Sequence, residues 1–123
     1  MSPISLDCRP LRGGVLITVA GDIDATNAGH VETCIDRMRR PGQAVLLDLS
    51  GLRFMDSRGL HVLLRAHGDI RKQGGTMHLA AVADTPAHVL RITGVWDALT
   101  IHPSVEEAIT AIHSRLDNLG DLA

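Results

Sequence analysis

Apolar residues in this 123-residue chain change period repeatedly, from every second position to every third or fourth and back. Ile4, Leu6 and Cys8 alternate with polar neighbours, Val15-Leu-Ile17-Thr-Val19 follows a similar pattern, and each stretch reads as a strand. Gly13-Gly14 between them predicts a β-hairpin. Asp24 is a candidate cap for a helix whose stripe is Ala28, Val31, Ile35 and Met38, and Pro41-Gly42 stops it. Ala44-Val-Leu-Leu-Asp-Leu49 is a nearly continuous apolar run, as expected of a strand covered on both faces. A loop over 50–56 leads to a helix from about Ser57 to Gln73, with Leu60, Leu63, Leu64 and Ile70 on its apolar face and Gly74-Gly75 as its stop. A strand over 77–82 follows, then a short helix opened by Thr85-Pro86 and ending at Gly94. A brief strand at 100–102 precedes the capping box Ser104-Val-Glu-Glu107, which opens a helix lined by Val105, Ala108, Ile109, Ile112 and Leu116.

The element order is therefore ββαβαβαβα. After the hairpin, each strand is joined to the next through a helix, and connections of that length pair strands in parallel with right-handed crossovers. The expected class is α/β, with an N-terminal β-hairpin and a mixed, mostly parallel sheet. Length predicts one domain over 1–123, with a core over about 1–115 and a C-terminal tail over 116–123. A chain this long buries roughly two-thirds of its unfolded surface and needs no staples.

Composition narrows the function classes. Aromatic residues make up 2% of the chain, Phe54 and Trp96 alone, so the core must be aliphatic. Base-stacking platforms and aromatic cages for quaternary amines both need rings that this chain lacks. The net charge of −2 and the scatter of its eleven arginines and one lysine argue against a nucleic-acid partner. No uncharged stretch exceeds Gln73–Ala83, too short to span a bilayer, which needs roughly 20 apolar residues. The first nine residues carry neither a basic n-region nor an apolar h-region, and two isolated cysteines suit a reduced compartment, so a cytoplasmic setting is expected. Cys8 and Cys34 read as small buried hydrophobes, with a redox role as the lesser alternative.

Catalytic and cofactor motifs are scarce. Phosphate-loop and dinucleotide fingerprints are absent, and no pair among the seven histidines has metal-ligand spacing, so no cofactor or metal is expected. Ser57, in Met55-Asp-Ser-Arg-Gly59, stands where a strand and loop give way to a helix. With His61 one turn along, a nucleophile–base pair is conceivable, but the first glycine of a nucleophile elbow is replaced by Met55 and no acid partner stands out. Taken alone, Ser57 reads as a helix N-cap. Trp96 reads as packing over the sheet edge, with an exposed partner contact as the alternative.

Val45-Leu-Leu-Asp-Leu-Ser-Gly-Leu-Arg-Phe-Met-Asp-Ser-Arg-Gly-Leu60 resembles the signature of the STAS domain family, an apolar strand, a D-L-S-G-like turn and D-S-[ST]-G-L opening a helix. Gly21-Asp-Ile-Asp24, Lys72-Gln-Gly-Gly75, Ile92-Thr-Gly94 and Glu107-Ala108 are similar to further family motifs, in the family's order along nearly the whole chain. The resemblance implies the STAS fold and, for a free-standing domain, an anti-sigma factor antagonist and not an enzyme. In such proteins a partner anti-sigma factor with serine-kinase activity phosphorylates the serine after the aspartate. The unphosphorylated form binds that kinase and releases a sigma factor, and the phosphorylated form does not.

Carried over, the phosphoacceptor is Ser57, and the partner-binding residues are Asp24, Asp56, Arg58, Gly59, Leu60 and His61. A phosphate adds roughly −1.5 to −2 charge units, and a partner surface shaped for a neutral hydroxyl would have to desolvate it. This chain departs from the family pattern at Arg58, where a second Ser or Thr is usual, and at His61, where a small residue is usual. Arg58 is either a solvated surface residue or, with His61, a cation that partly neutralises phospho-Ser57 and softens the switch. The alternative function is a STAS adaptor of a membrane transport or signalling complex, docking through the same surface without phosphorylation.

Overall fold

A computed structural model describes residues 4–121, with the side chains of 119–121 left aside. Five strands form one sheet in the order β1-β2-β3-β4-β5: β1 (Ser5–Leu11), β2 (Gly14–Ile23), β3 (Ala44–Met55), β4 (Thr76–Ala80) and β5 (Thr100–His102). β1 and β2 pair antiparallel about Gly13, whose φ of 80° suits a residue without a Cβ, and every other pairing is parallel. Helices α1 (Ala28–Met38), α2 (Ser57–Lys72) and α3 (Asp84–Ile92) connect the parallel strands, and α4 (Val105–Asp121) ends the described chain. This is the expected mixed, mostly parallel sheet.

Each connection steps one strand in the same direction, so right-handed crossovers bring α1, α2 and α3 to one face. Their buried residues, including Val31, Ile35, Leu63, Ile70 and Leu90, join Val45, Leu47, Leu49, Met77 and Leu79 in the main core. The opposite face is covered by α4, where Ala108 and Ile112 pack on Ala44, Leu46 and Ala80. Among the described residues α4 follows β5 directly and folds back under the sheet. It runs past the expected tail boundary, and Leu116 packs against this second cluster. The first three and last two residues lie outside the description.

Residues 50–56 depart most from expectation. Ser50-Gly51 reads as a turn, yet 50–55 continue β3, and two bulges explain why the alternation is lost. Between the pairs Thr18↔Asp48 and Ala20↔Gly51, and again between Gly21↔Leu52 and Asp22↔Phe54, β3 advances one residue more than β2. Leu49, Leu52 and Met55 therefore all face the main core although they are three residues apart instead of two.

Helix boundaries and faces differ in smaller ways. Asp24 does not cap α1; Asn27 stands at the N-cap, and its amide instead accepts from Asp24 N (3.0 Å) and donates to Asp22 O (2.8 Å). On α2, Leu64 is exposed, and the core face is Gly59, Val62, Leu63, Ala66 and Ile70. Gly59, Val62 or Leu63, Ala66 and Ile70 recur every three or four positions, and Leu64 falls off that stripe. α3 begins at Asp84, two residues earlier than a Thr85 N-cap would place it, with Ala83 at the N-cap and Thr85 and Pro86 inside the first turn.

Both middle helices end as their glycines suggest: Gly75 N donates to Ile70 O and Gly74 N to Arg71 O, and Val95 and Gly94 repeat the pattern on Leu90 and Arg91. Ser104 Oγ accepts from Glu107 N at 3.1 Å, as a capping serine should. Trp96 packs half-buried against the main core, with the Arg91 guanidinium 4.3 Å above its ring. The cysteines are not buried hydrophobes: Cys8 is exposed, Cys34 half-buried, and their sulfurs are 3.4 Å apart.

Candidate functional site

The site forms where β2 and β3 end side by side. Ile23 and Met55 are the last register pair, so the residues after them, Asp24 and Asp56, leave the sheet together. Asp56 N donates to Ile23 O at 3.2 Å, which fastens the start of α2 to the end of β2. In an open α/β sheet, the carboxyl ends of parallel strands are where crossovers part and surfaces become available to a ligand or partner.

Asp56, not Ser57, is the N-cap of α2. Its backbone is extended (φ −92°, ψ −170°), and Oδ1 accepts from Arg58 N at 2.9 Å and Gly59 N at 3.4 Å. The capping role expected of Ser57 is thereby filled by its neighbour, and Ser57 becomes the first helical residue, exposed to solvent. Its side chain is not needed to satisfy the helix terminus.

Around Ser57 the chain divides into groups that face out and groups that hold position. Arg58 and His61 are exposed, Asp24 and Leu60 half-buried. Asp24 Oδ1 accepts from Thr26 N at 2.8 Å and from the Thr26 hydroxyl, and these bonds, the hydroxyl's first, hold its carboxyl below the usual carboxylate range. It stays charged down to low pH. Gly59, expected among the partner-binding residues, has a structural role. It is buried, and a Cβ there would lie 2.5 Å from Met55 Cγ and 2.9 Å from Ile23 Cγ2, so its part is to let the first turn of α2 close onto the ends of β2 and β3. Met55, the residue before the cap, is 1% exposed and belongs to the core.

Phe54, the aromatic residue nearest Ser57 in sequence, is 42% exposed beside Asp22 at the end of β3 and gives the surface a ring. Its position depends on the second bulge, which no local pattern announces. Thr26 and Asn27 shape the β2–α1 loop through the bonds above; their signal was their turn-forming residue type alone. Among the described residues, no three His, Cys, Asp or Glu side chains converge as metal ligands, and no helix is long and apolar enough to cross a membrane.

Comparison with known proteins agrees with this architecture. An anti-sigma F factor antagonist of Paenibacillus polymyxa is 28% identical over 111 residues, spanning 89% of this chain and 95% of that protein. An anti-sigma factor antagonist from Mycobacterium paratuberculosis superposes with a TM-score of 0.81 at 24% identity, over 90% of this chain and 95% of the other. The anti-sigma factor antagonist SpoIIAA in its unphosphorylated form superposes with a TM-score of 0.69 at 21% identity, over 91% and 97% of the two chains. The family model for the STAS domain matches residues 6–108, from within β1 to the first turn of α4. Strand order, the acidic cap and the exposed serine after it thus accompany a match over most of the chain, which belongs to the STAS domain family.

Proposed function

We propose that this protein is an anti-sigma factor antagonist that binds an anti-sigma factor with serine-kinase activity and is switched off by phosphorylation of Ser57. The observation that carries the reading is the release of Ser57 from structural duty. Asp56 caps the helix, so the Ser57 hydroxyl is exposed at the end of the sheet and free to react. The curated relatives named as anti-sigma factor antagonists support the same reading. SpoIIAA, a structural neighbour, is known in both unphosphorylated and phosphorylated forms.

The local physics favours a switch over a refolding event. The dipole of α2 tolerates an anion at its first residue. The Arg58 and Gly59 amides are already engaged by Asp56, so they are poorly placed to cradle the phosphate. The added charge stays on the surface, beside two carboxylates, where a docked partner would have to desolvate it. A penalty of about 3 kcal/mol, modest for an unpaired charge, weakens binding roughly 150-fold. Arg58 and His61 offset part of it, which makes the switch softer than one without them.

Incubation with the cognate anti-sigma kinase and ATP, followed by intact mass, is expected to add one phosphate that Ser57→Ala abolishes. Titration calorimetry should then show the phosphorylated protein binding the kinase at least tenfold more weakly, and Arg58→Ser/His61→Gly should widen the gap. Phosphate at another residue, or equal affinity of the two forms, would overturn the reading. Stable co-purification with a transport ATPase without phosphate would favour an adaptor role instead.

A further inference from the structure

We propose that Cys8 and Cys34 are an oxidation site that closes reversibly into an intramolecular disulfide, joining the edge strand β1 to α1. These are the two cysteines of the chain, 26 positions apart in sequence, and the fold brings their sulfurs to 3.4 Å without a bond. The approach is set by elements with other reasons to be where they are. The β1–β2 register pairs Cys8 with Ile17, whose side chain is in the main core, and Cys34 lies beside Ile35 on the stripe that seats α1 on that core. Forming the bond requires closing by a little over 1 Å to the roughly 2.05 Å of a disulfide, which side-chain rotation can supply.

The two sulfurs are unequal. Cys8 is exposed, whereas burial, and then the neighbouring Cys8, push the Cys34 thiol up to about 11, so Cys34 stays protonated at neutral pH. Each also opens on a surface hollow: one of about 320 Å³ lined by His30, Cys34 and Arg37, the other of about 260 Å³ lined by Cys8, Arg9 and Arg40, with Met38 between them. A small oxidant therefore reaches Cys8 directly, and Cys34 waits behind it as the resolving thiol.

With hydrogen peroxide as oxidant the steps balance. The Cys8 thiolate attacks one peroxide oxygen, the O–O bond breaks, and a sulfenic acid and hydroxide result. The Cys34 sulfur then attacks the Cys8 sulfur; the S–S bond forms, the S–O bond breaks, and the departing hydroxide takes the Cys34 proton as water. Two thiols lose two electrons, and one peroxide becomes two waters. In a reducing cytoplasm the pair rests as thiols.

The test uses the full chain, reduced and then exposed to hydrogen peroxide at low protein concentration. The mass should fall by two hydrogens, and a non-reducing digest should yield one peptide pair linked through Cys8 and Cys34. Dithiothreitol should restore the original mass. The oxidised form should melt roughly 10 °C higher, because the link closes a loop of this length in the unfolded chain. Cys34→Ser should instead leave a Cys8 sulfenic acid that a dimedone probe captures, and Cys8→Ser, at an exposed position, should fold normally and stay unlinked. A covalent dimer through Cys8, or a gain of two oxygens on one cysteine without a link, would overturn the proposal. So would a pair that survives peroxide concentrations sufficient to oxidise a free thiol.

Discussion

His78→Gln should flatten the acid limb of the stability curve, and the size of the effect follows from the neighbours of this residue. His78 lies on β4 beneath α4, 8% exposed, with Nδ1 2.9 Å from Nε2 of His102 on β5 and Nε2 3.0 Å from the Thr76 hydroxyl. Burial, then the His102 ring, then the Arg115 guanidinium lower its pKa from 6.5 to about 4. Each cause disfavours the imidazolium, so the unfolded chain binds the proton more tightly than the folded one. Stability contributed by the neutral ring is complete above pH 6.5, falls as the pH drops from 6.5 to 4, and is flat below 4.

At 1.36 kcal/mol per pH unit, the whole window is worth at most about 3 kcal/mol, of which about 2 kcal/mol is lost between pH 7 and pH 5. Glutamine stays neutral and can bond to both Thr76 and His102, so it removes the titration without emptying the site. Urea unfolding at pH 7 and pH 5 measures the difference. Wild type is expected to lose about 2 kcal/mol more than His78→Gln over that interval, while His67, whose pKa burial and Arg71 also lower, contributes equally to both proteins. Equal losses in the two proteins, or a His78 ring titrating near 6.5 by NMR, would refute the reasoning.

Removing the helix cap with Asp56→Ala should cost about 1 kcal/mol in urea unfolding, with faster amide exchange at Arg58 and Gly59, and Asp56→Asn should retain most of it. Gly59→Ala places a Cβ 2.5 Å from Met55 Cγ and 2.9 Å from Ile23 Cγ2, both in fully buried side chains, so despite the better helix propensity of alanine it should destabilise. The expected cost is about 1–3 kcal/mol, accompanied by weaker kinase binding because the Ser57 turn is displaced, both readable by denaturation and calorimetry. Ala81 has a φ of 55°, so Ala81→Gly should relieve left-handed strain and stabilise by about 1 kcal/mol, seen as a higher Tm.

What the sequence determined alone is what short-range chemistry encodes. Apolar periods of two and near four are set by strand and helix geometry, so the order ββαβαβαβα, the stripe of α1, the glycine stops after α2 and α3 and the Ser104 cap were all readable from neighbouring residues. The motif around Ser57 was readable for the same reason, because cap and first turn are consecutive in the chain. What the tertiary structure decided are relations between residues far apart in sequence. The extension of β3 through 50–55 needs bulged pairing with β2, about 30 positions earlier, and that pairing turns Gly59 and Met55 inward and leaves Phe54 exposed.

The pairing of His78 with His102 and of Cys8 with Cys34 depends on which strands and helices lie side by side. Local propensity cannot carry that information, because a hydrogen bond or a contact across 24 or 26 residues costs loop entropy that only the assembled core offsets.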